Sequence, residues 1–467
     1  MKIFVVAGLG YGDEGKGTAT HFLCGKYKAH TVVRTGGPQA FHRVVTAHGS
    51  EHVHSQFGSG TLLGSSTHLS RAMVINPDGI LNEGEILMYE HGIRNIFDLL
   101  TIHESALVIT PFHGAANRLR ELARGVNRHG TVGVGVGETV LDAETLPDDL
   151  IIRAKDLGNP NLANKLEAIR VRKRYDLREI IEKIDEFPEG IRDGARKDGV
   201  LLSGTHGVSW TVRRFNKLAA LTKIVDTNYV AEKILHRSGA VIFEPSQGVL
   251  LDRWYGFHPY TTKVRTMPDA AFSIIDECGS GDNEIKCLGV FRAYHTRHGA
   301  GPFVTECPEL TNQLPDKYNG EHEWQGKFRV GHLDMLAAKY AIEACEGSRT
   351  LDGLMITCMD RVQGLGSWKI CETYTGPKES DFFSFNEDGS ITGIKVRHGM
   401  GTEQLKRQEK LGNLLLQCKA NLTEYGLQET DQRKWIAHCA DIVKERLGIP
   451  VVVVSVGPTE QNKIVVR

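Results

Sequence analysis

After seven residues the chain changes character. Ile3-Phe-Val-Val-Ala7 is β-branched and aromatic, and Gly8, Gly10, Gly12, Gly15 and Gly17 follow at once. That order predicts a buried strand entering a tight loop, with a helix from Gly15. Gly10-Tyr-Gly-Asp-Glu-Gly-Lys-Gly17 has the ingredients of a phosphate cradle. Glycines let backbone N–H groups converge on an anion, a helix N-terminus adds partial positive charge, and Lys16 neutralises oxygens. The run fits G-x-x-x-x-G-K, yet Gly17 stands where the usual loop has the Ser or Thr that holds Mg²⁺. Asp13 is a second anomaly: a carboxylate in an anion-binding loop is unwelcome unless it meets a cation or accepts a proton. That conflict points to chemistry.

The rest of the chain repeats the strand-then-loop pattern. Val32-Val-Arg34 runs into Gly36-Gly37, Val241-Ile-Phe243 runs into Glu244-Pro-Ser-Gln-Gly248, and Val451 to Val456 forms a last apolar run. Ahead of it, Trp435, Ile436, Cys439, Ile442, Val443 and Leu447 recur with helical spacing, and Gly448 is placed to end the helix. Buried strands alternating with helices predict an α/β fold: a large, mainly parallel central sheet flanked by helices, with ligands beyond the carboxyl ends of its strands. Gly130 to Gly137 reads as a mobile loop, and Asn159-Pro-Asn161 marks the start of a helical insertion. Arg170-Val-Arg-Lys-Arg174, followed by the acidic stretch Glu182 to Glu189, reads as a solvated helical face.

Composition narrows the partners. With 56 basic and 57 acidic residues the net charge is -1, which provides no field for nucleic acid or an anionic membrane, so small ligands are expected. No apolar run approaches the roughly 20 residues of a membrane span, and Met-Lys-Ile leads straight into a strand in place of a signal peptide. Nine cysteines occur singly, without a C-x-x-C pair, the usage of reduced thiols in the cytoplasm. Length alone suggests two or three domains.

From the loop onward the chain resembles the adenylosuccinate synthetase family, whose signature is G-D-E-G-K-G directly after the first strand. The resemblance continues through Gly36-Gly-Pro-Gln-Ala-Phe-His42, Gly58-Ser-Gly60, Phe243-Glu-Pro-Ser-Gln-Gly-Val-Leu-Leu-Asp252 and Pro259-Tyr-Thr-Thr262. It includes Ala293-Tyr-His-Thr-Arg-His-Gly-Ala-Gly-Pro-Phe303, Gly331-His-Leu-Asp334, Thr357-Cys-Met-Asp360 and Ser455-Val-Gly-Pro458. It implies a fold related to P-loop NTPases, one domain over 1–467 in which the poorly matching 140–240 is a helical insertion, and a homodimer. The implied reaction joins L-aspartate to C6 of a 6-oxopurine monophosphate, IMP first, through a 6-phosphoryl intermediate, with hydrolysis of GTP and Mg²⁺ as cofactor. By that resemblance Asp13 takes the N1 proton and His42 stabilises phosphoryl transfer. Asp13 and the Phe41 carbonyl hold the metal. Gly12, Glu14, Gly15, Lys16, Gly17, Asp360, Ser455 and Gly457 bind the triphosphate nucleotide. Gln39, Ala40, Thr131, Gln247 and Thr262 hold the purine monophosphate, and Arg329 anchors aspartate with Arg297 supporting the same loop.

Four departures leave alternatives open. The family's N-A-G-H-T is here Gln39-Ala-Phe-His-Arg43, with Phe41 for the glycine and Arg43 for a small hydroxyl. Cys358 replaces the lysine of the guanine-reading T-K-x-D pattern, so ATP competes with GTP. The family's arginine run is reduced to Lys327 and Arg329, and only Arg153 is available where a partner-subunit arginine would reach the 5′-phosphate. A viral branch of the family uses a guanylate, so the same chemistry on (d)GMP is the alternative acceptor, although retention of Asp13 favours inosinate. An NTP-binding regulatory protein without synthesis is the remaining alternative.

Overall fold

The first strand and its loop form where the sequence places them. In the computed structural model, which describes residues 1–125, 128–279, 281, 283–321, 324–345, 351–426 and 431–466, strand Lys2–Gly8 is buried at every position after Lys2. It lies near the middle of an 11-stranded sheet. In spatial order the sheet runs Lys463–Val465, Val451–Ser455, Gly353–Thr357, Glu284–Arg292, Lys2–Gly8, Ala240–Pro245, Ala29–Gly36, Ser66–Ile75, Leu100–His103 and Lys223–Val225. The short Leu107–Val108 also pairs with Ser66–Ile75. All of these pairings are parallel except that of the edge strand Lys463–Val465, which is antiparallel. Sheets covered by helices on both faces need apolar residues on both sides of each strand, which is why the strand sequences read as continuous runs.

Helix Lys16–Tyr27 follows the loop, and helix Gln432–Leu447 leads into Val451–Ser455, with Asp431 capping its start and Gly448 its end. Between 136 and 221 the chain folds into helices Val136–Thr145, Leu162–Asp176, Arg178–Glu182, Glu189–Ser203 and His206–Leu221. Their inner faces share a core with the strands at that end of the sheet, through Leu69, Ile102, Leu166, Leu202 and Phe215. A smaller sheet is built from Leu333–Asp334, Ser367–Thr375, Phe383–Phe385, Ile391–Ile394 and Lys419–Gly426. Among the described residues no helix is long and apolar enough to cross a membrane.

Two local details go beyond the sequence. In the segment 130–137, Gly130 is exposed whereas Gly133, Gly135 and Val136 are buried: helix Val136–Thr145 begins inside it, and Gly135 lies against the backbone of His113 and Gly114. The basic run 170–174 is not a solvated face throughout. Lys173 is buried between Glu138 (2.9 Å) and Asp142 (2.7 Å), and the buried Arg170 pairs with Glu167. A buried cation needs such partners, and Lys173 draws its two from a helix about thirty residues earlier.

Candidate active site

The carboxyl ends of the central strands converge on the loop at 9–15. Its shape is organised by Glu14, which is buried and turned inward. Glu14 Oε1 accepts the N–H groups of Gly10 (3.0 Å) and Gly12 (2.8 Å), and Oε2 accepts from Lys16 Nζ at 2.6 Å. Gly15, at φ 93°, starts the helix, and any side chain there would press on Thr357. Asp13 also sits in the left-handed region, at φ 58°, and its carboxylate turns the other way. Its Oδ2 lies 3.2 Å from His298 Nε2, and its backbone carbonyl accepts from Arg292 Nε. Burial alone would raise its pKa. The hydrogen bond and charge of His298, with the charges of Arg292 and Lys16, outweigh that and hold it down to about 2. Asp13 is therefore ionised at neutral pH, and its partner His298 is shifted upward.

His42 reaches the loop from a hairpin of His42–Val45 with Glu51–His54. Gly17 makes the approach possible, because a Cβ there would fall 2.9 Å from His42 Cβ. The imidazole Nδ1 meets Glu244 Oε1 at 2.7 Å and Arg34 at 2.8 Å, with Arg34 and Glu244 themselves paired at 3.1 Å. Burial first, then the Arg34 charge, lowers the His42 pKa to about 4 against the pull of Glu244, and Nε2 is buried without a hydrogen-bond partner. The neutral ring thus has one nitrogen held and one free. Phe41 is half exposed beside it. Arg43 turns away from the loop, forked onto Glu51 at 2.6 and 3.0 Å and stacked on Tyr318.

Other expected residues fall into separate groups. Gln39 Nε2 donates to Thr262 Oγ1 at 3.2 Å, while Gln39 Oε1 and Gln247 Oε1 are buried without partners. Ala40, next to Gln39 in sequence, is buried. Gln247, at φ 46°, brings its backbone against Gly8. Thr131 bonds Asn117 (3.0 Å) and the Trp324 carbonyl (3.1 Å), so its loop lies over the 324–327 segment. Asp360 follows strand Gly353–Thr357, and burial raises its pKa. Ser455 Oγ and Lys463 Nζ both donate to the Gly457 carbonyl at 2.9 Å. Burial lowers the Lys463 pKa to about 8, against the charges of Cys358, Asp360 and Glu460.

The expected aspartate anchor Arg329 and its supporting Arg297 both make contacts within the protein. Arg297 is buried over the Tyr11 ring and donates to the carbonyls of Pro302 (2.8 Å), Ala300 (3.2 Å) and Tyr260 (3.3 Å). It braces the 299–303 loop. Arg329, its cross-strand neighbour, pairs with Glu306 at 2.6 Å and donates to the Gly301 carbonyl at 3.0 Å. Sequence reasoning gave no role to His298, Arg292, Glu244 or Arg34. His298 and Glu244 stand inside the matched motifs, so the signal was present, but their partners lie 285 and 202 residues away. Lys463 has no sequence signal of its own.

A phosphate loop after a central strand of a parallel sheet, with an ionised carboxylate in it and a buried imidazole against it, belongs to a nucleotide-dependent α/β enzyme. The family model described as adenylosuccinate synthetase matches residues 5–464. The chain belongs to the adenylosuccinate synthetase family and is a C–N bond-forming ligase of that type. It is 28% identical over 479 residues to the adenylosuccinate synthetase of Borrelia recurrentis (strain A1), covering 100% of this chain and 98% of that protein. To that of Desulforapulum autotrophicum it is 29% identical over 476 residues, with coverage of 100% and 99%. Among solved structures, the fold is similar to the fully ligated adenylosuccinate synthetase from Plasmodium falciparum, with a TM-score of 0.74 at 18% identity and 100% of each chain covered. It also resembles the succinoaminodeoxyadenylate synthetase of cyanophage S-2L, bound to dGMP and dATP as an energy donor, with a TM-score of 0.57 at 15% identity covering 99% and 95%.

Proposed function

We propose that the enzyme joins L-aspartate to C6 of a 6-oxopurine monophosphate, IMP first, through a 6-phosphoryl intermediate formed with GTP. The observation that carries this reading is Asp13, an ionised carboxylate held in a phosphate loop by His298. The 6-oxygen of a purine is a poor leaving group. Asp13 accepts the N1 proton, negative charge moves to O6, and O6 attacks the γ-phosphorus as its bond to the β,γ-bridging oxygen breaks and GDP leaves. His42 faces the transfer with Nε2. Incoming phosphate charge raises its proton affinity, and Glu244 at Nδ1 steadies the imidazolium as the phosphoryl group moves. The aspartate amine then bonds to C6, and the C6–O6 bond breaks with phosphate as the leaving group.

Mg²⁺ fits the donors at the loop: Asp13 offers an ionised oxygen and Phe41 a backbone carbonyl, the hard ligands this ion prefers. Bound there, it would neutralise charge on the transferring phosphoryl group. Asp360 matches guanine, whose N1–H and N2–H₂ it can accept, and Cys358 makes ATP the competing donor. The reading includes a homodimer, which sedimentation checks directly. The test of the whole is phosphate release from GTP or ATP with IMP, GMP and dGMP, with and without L-aspartate. Release that needs IMP and aspartate together supports the reading. Release with (d)GMP in its place moves the acceptor to the chemistry of the cyanophage enzyme, and release indifferent to aspartate refutes synthesis.

A further inference from the structure

A second cluster of side chains lies behind the His42 hairpin, and the reaction makes no use of it. In that hairpin His54 stands opposite His42, and His52 opposite Val44. Two residues apart on one strand, His52 and His54 present their rings on the same face. Helix Pro77–Tyr89 sets Glu83 against them, with Oε1 3.6 Å from both His52 Nε2 and His54 Nδ1. All three side chains are buried, His54 completely. A separation of 3.6 Å is too long for a hydrogen bond. His52 Nε2 and both ring nitrogens of His54 have no hydrogen-bond partner, whereas buried polar atoms are normally paired.

The spacing is that of a coordination shell. Donor atoms roughly 2.0–2.1 Å from a tetrahedral zinc lie about 3.3 Å from one another. Among the described residues, this is the one group of three or more His, Cys, Asp or Glu whose donor atoms all fall within 4.8 Å. Glu83 is already oriented: its Oε2 accepts the backbone N–H groups of Gln56 (2.7 Å) and Ser55 (3.2 Å), the kind of outer contact that fixes a ligating carboxylate. His91, with its ring centroid 5.1 Å from that of His52, also has a buried and unpartnered Nε2.

We propose that His52, His54 and Glu83 form a structural site for a divalent transition-metal ion, Zn²⁺ by donor type, which ties the His42 hairpin to helix Pro77–Tyr89. Two imidazoles and a carboxylate suit zinc, whereas Mg²⁺ and Ca²⁺ favour all-oxygen shells. The fourth position goes to His91 or to water. Strands of four residues are marginal as an isolated ribbon, so an ion here would hold the imidazole of His42 in place from behind.

The test uses the full chain, stripped with a chelator and titrated with ZnCl₂ and separately with CoCl₂. Wild type is compared with Asp13→Asn, which removes the loop carboxylate as a competing ligand, and with His52→Asn and Glu83→Gln. One tight equivalent is expected in wild type and in Asp13→Asn, with a rise in Tm on loading. Cobalt should show the visible bands of a tetrahedral site without a thiolate charge-transfer band. His52→Asn and Glu83→Gln should bind at least about 100-fold more weakly. Absence of a tight equivalent in folded wild-type protein overturns the proposal without recourse to any variant. Unchanged affinity in His52→Asn and Glu83→Gln, or loss of the ion in Asp13→Asn alone, overturns it as well.

Discussion

Gly17 occupies the position where a phosphate loop ordinarily has Ser or Thr, and restoring the hydroxyl tests why. A Cβ at Gly17 would lie 2.9 Å from His42 Cβ and 3.1 Å from the Arg43 carbonyl oxygen. Carbon atoms rest roughly 3.5–4.0 Å apart, so Gly17→Ser must push the hairpin back by about 0.6–1 Å. The atoms it meets are backbone and a Cβ, and no rotamer change relieves them. Overpacking of this kind costs about 1–3 kcal/mol, which a chain of this size tolerates. Catalysis is less forgiving, because a 1 Å misplacement of a reacting group costs on the order of 10²-fold. The variant should therefore melt a few degrees lower, bind the triphosphate in the wild-type range, and release phosphate on the order of 10²-fold more slowly. Gly17→Ala should share most of the defect, since the clash begins at Cβ. A folded Gly17→Ser enzyme with turnover within about twofold of wild type would refute the steric account.

Asp13→Ala should abolish synthesis while triphosphate binding, followed by calorimetry, persists; substantial residual turnover would mean that another group takes the N1 proton. His42→Asn should lower turnover by roughly 10²–10⁴-fold with little change in KM, and an unchanged rate would remove the imidazole from the mechanism. The same variant tests acid lability. The His42 pKa falls from 6.5 to about 4 on folding, so within that window the unfolded chain binds a proton that the folded chain does not. Stability is then lost as pH falls from 6.5 towards 4, by about 3 kcal/mol at most from this group. Denaturant titrations at pH 7, 6 and 5 should show a shallower pH slope for His42→Asn, and identical slopes would contradict the burial assigned to the ring. Removal of divalent cations with EDTA should abolish phosphate release by the wild type, and turnover unchanged without Mg²⁺ would remove the ion from the proposed reaction.

How legible these features were depends on how far apart in the chain their causes lie. The loop could be read because its glycines and Lys16 are contiguous with the strand and helix that frame them. Helix Gln432–Leu447 could be read because its apolar period and both caps are local. Lys173 was misread because its charge is balanced by Glu138 and Asp142, on another helix. Arg329, expected to anchor aspartate, pairs with Glu306 and the Gly301 carbonyl, while Arg297, expected to support the same loop, donates to carbonyls of the 300–302 turn; those contacts depend on how one loop folds back and carry no sequence signal. His298 could not be singled out as the partner of Asp13, since neighbouring histidines in the same motif look alike until the strands are placed side by side. Family resemblance located the motifs, while only packing separates the residues that face the loop from those that brace it.

Glu14 shows how one buried acid links these motifs and sets the electrostatics of the site. Its Oε1 takes the N–H groups of Gly10 and Gly12, the same donors that a phosphate would use. A Cβ on Gly248 would lie 2.0 Å from Oε1, and one on Gly8 would lie 2.7 Å from Oε2, so those two glycines exist where they do to leave room for this carboxylate. Thr357 Oγ1 donates to the Glu14 carbonyl at 2.6 Å, which brings the strand that leads to Asp360 into the same assembly. Lys16 is consequently balanced by Glu14 at 2.6 Å and is not a free cation. Lys16 on Glu14, and His298 with Arg292 on Asp13, balance the two carboxylates of the loop. The acidic residue that looked misplaced in an anion-binding loop is thus held ionised by cations drawn from strands nearly three hundred residues away, which is what lets a carboxylate stand in a phosphate cradle.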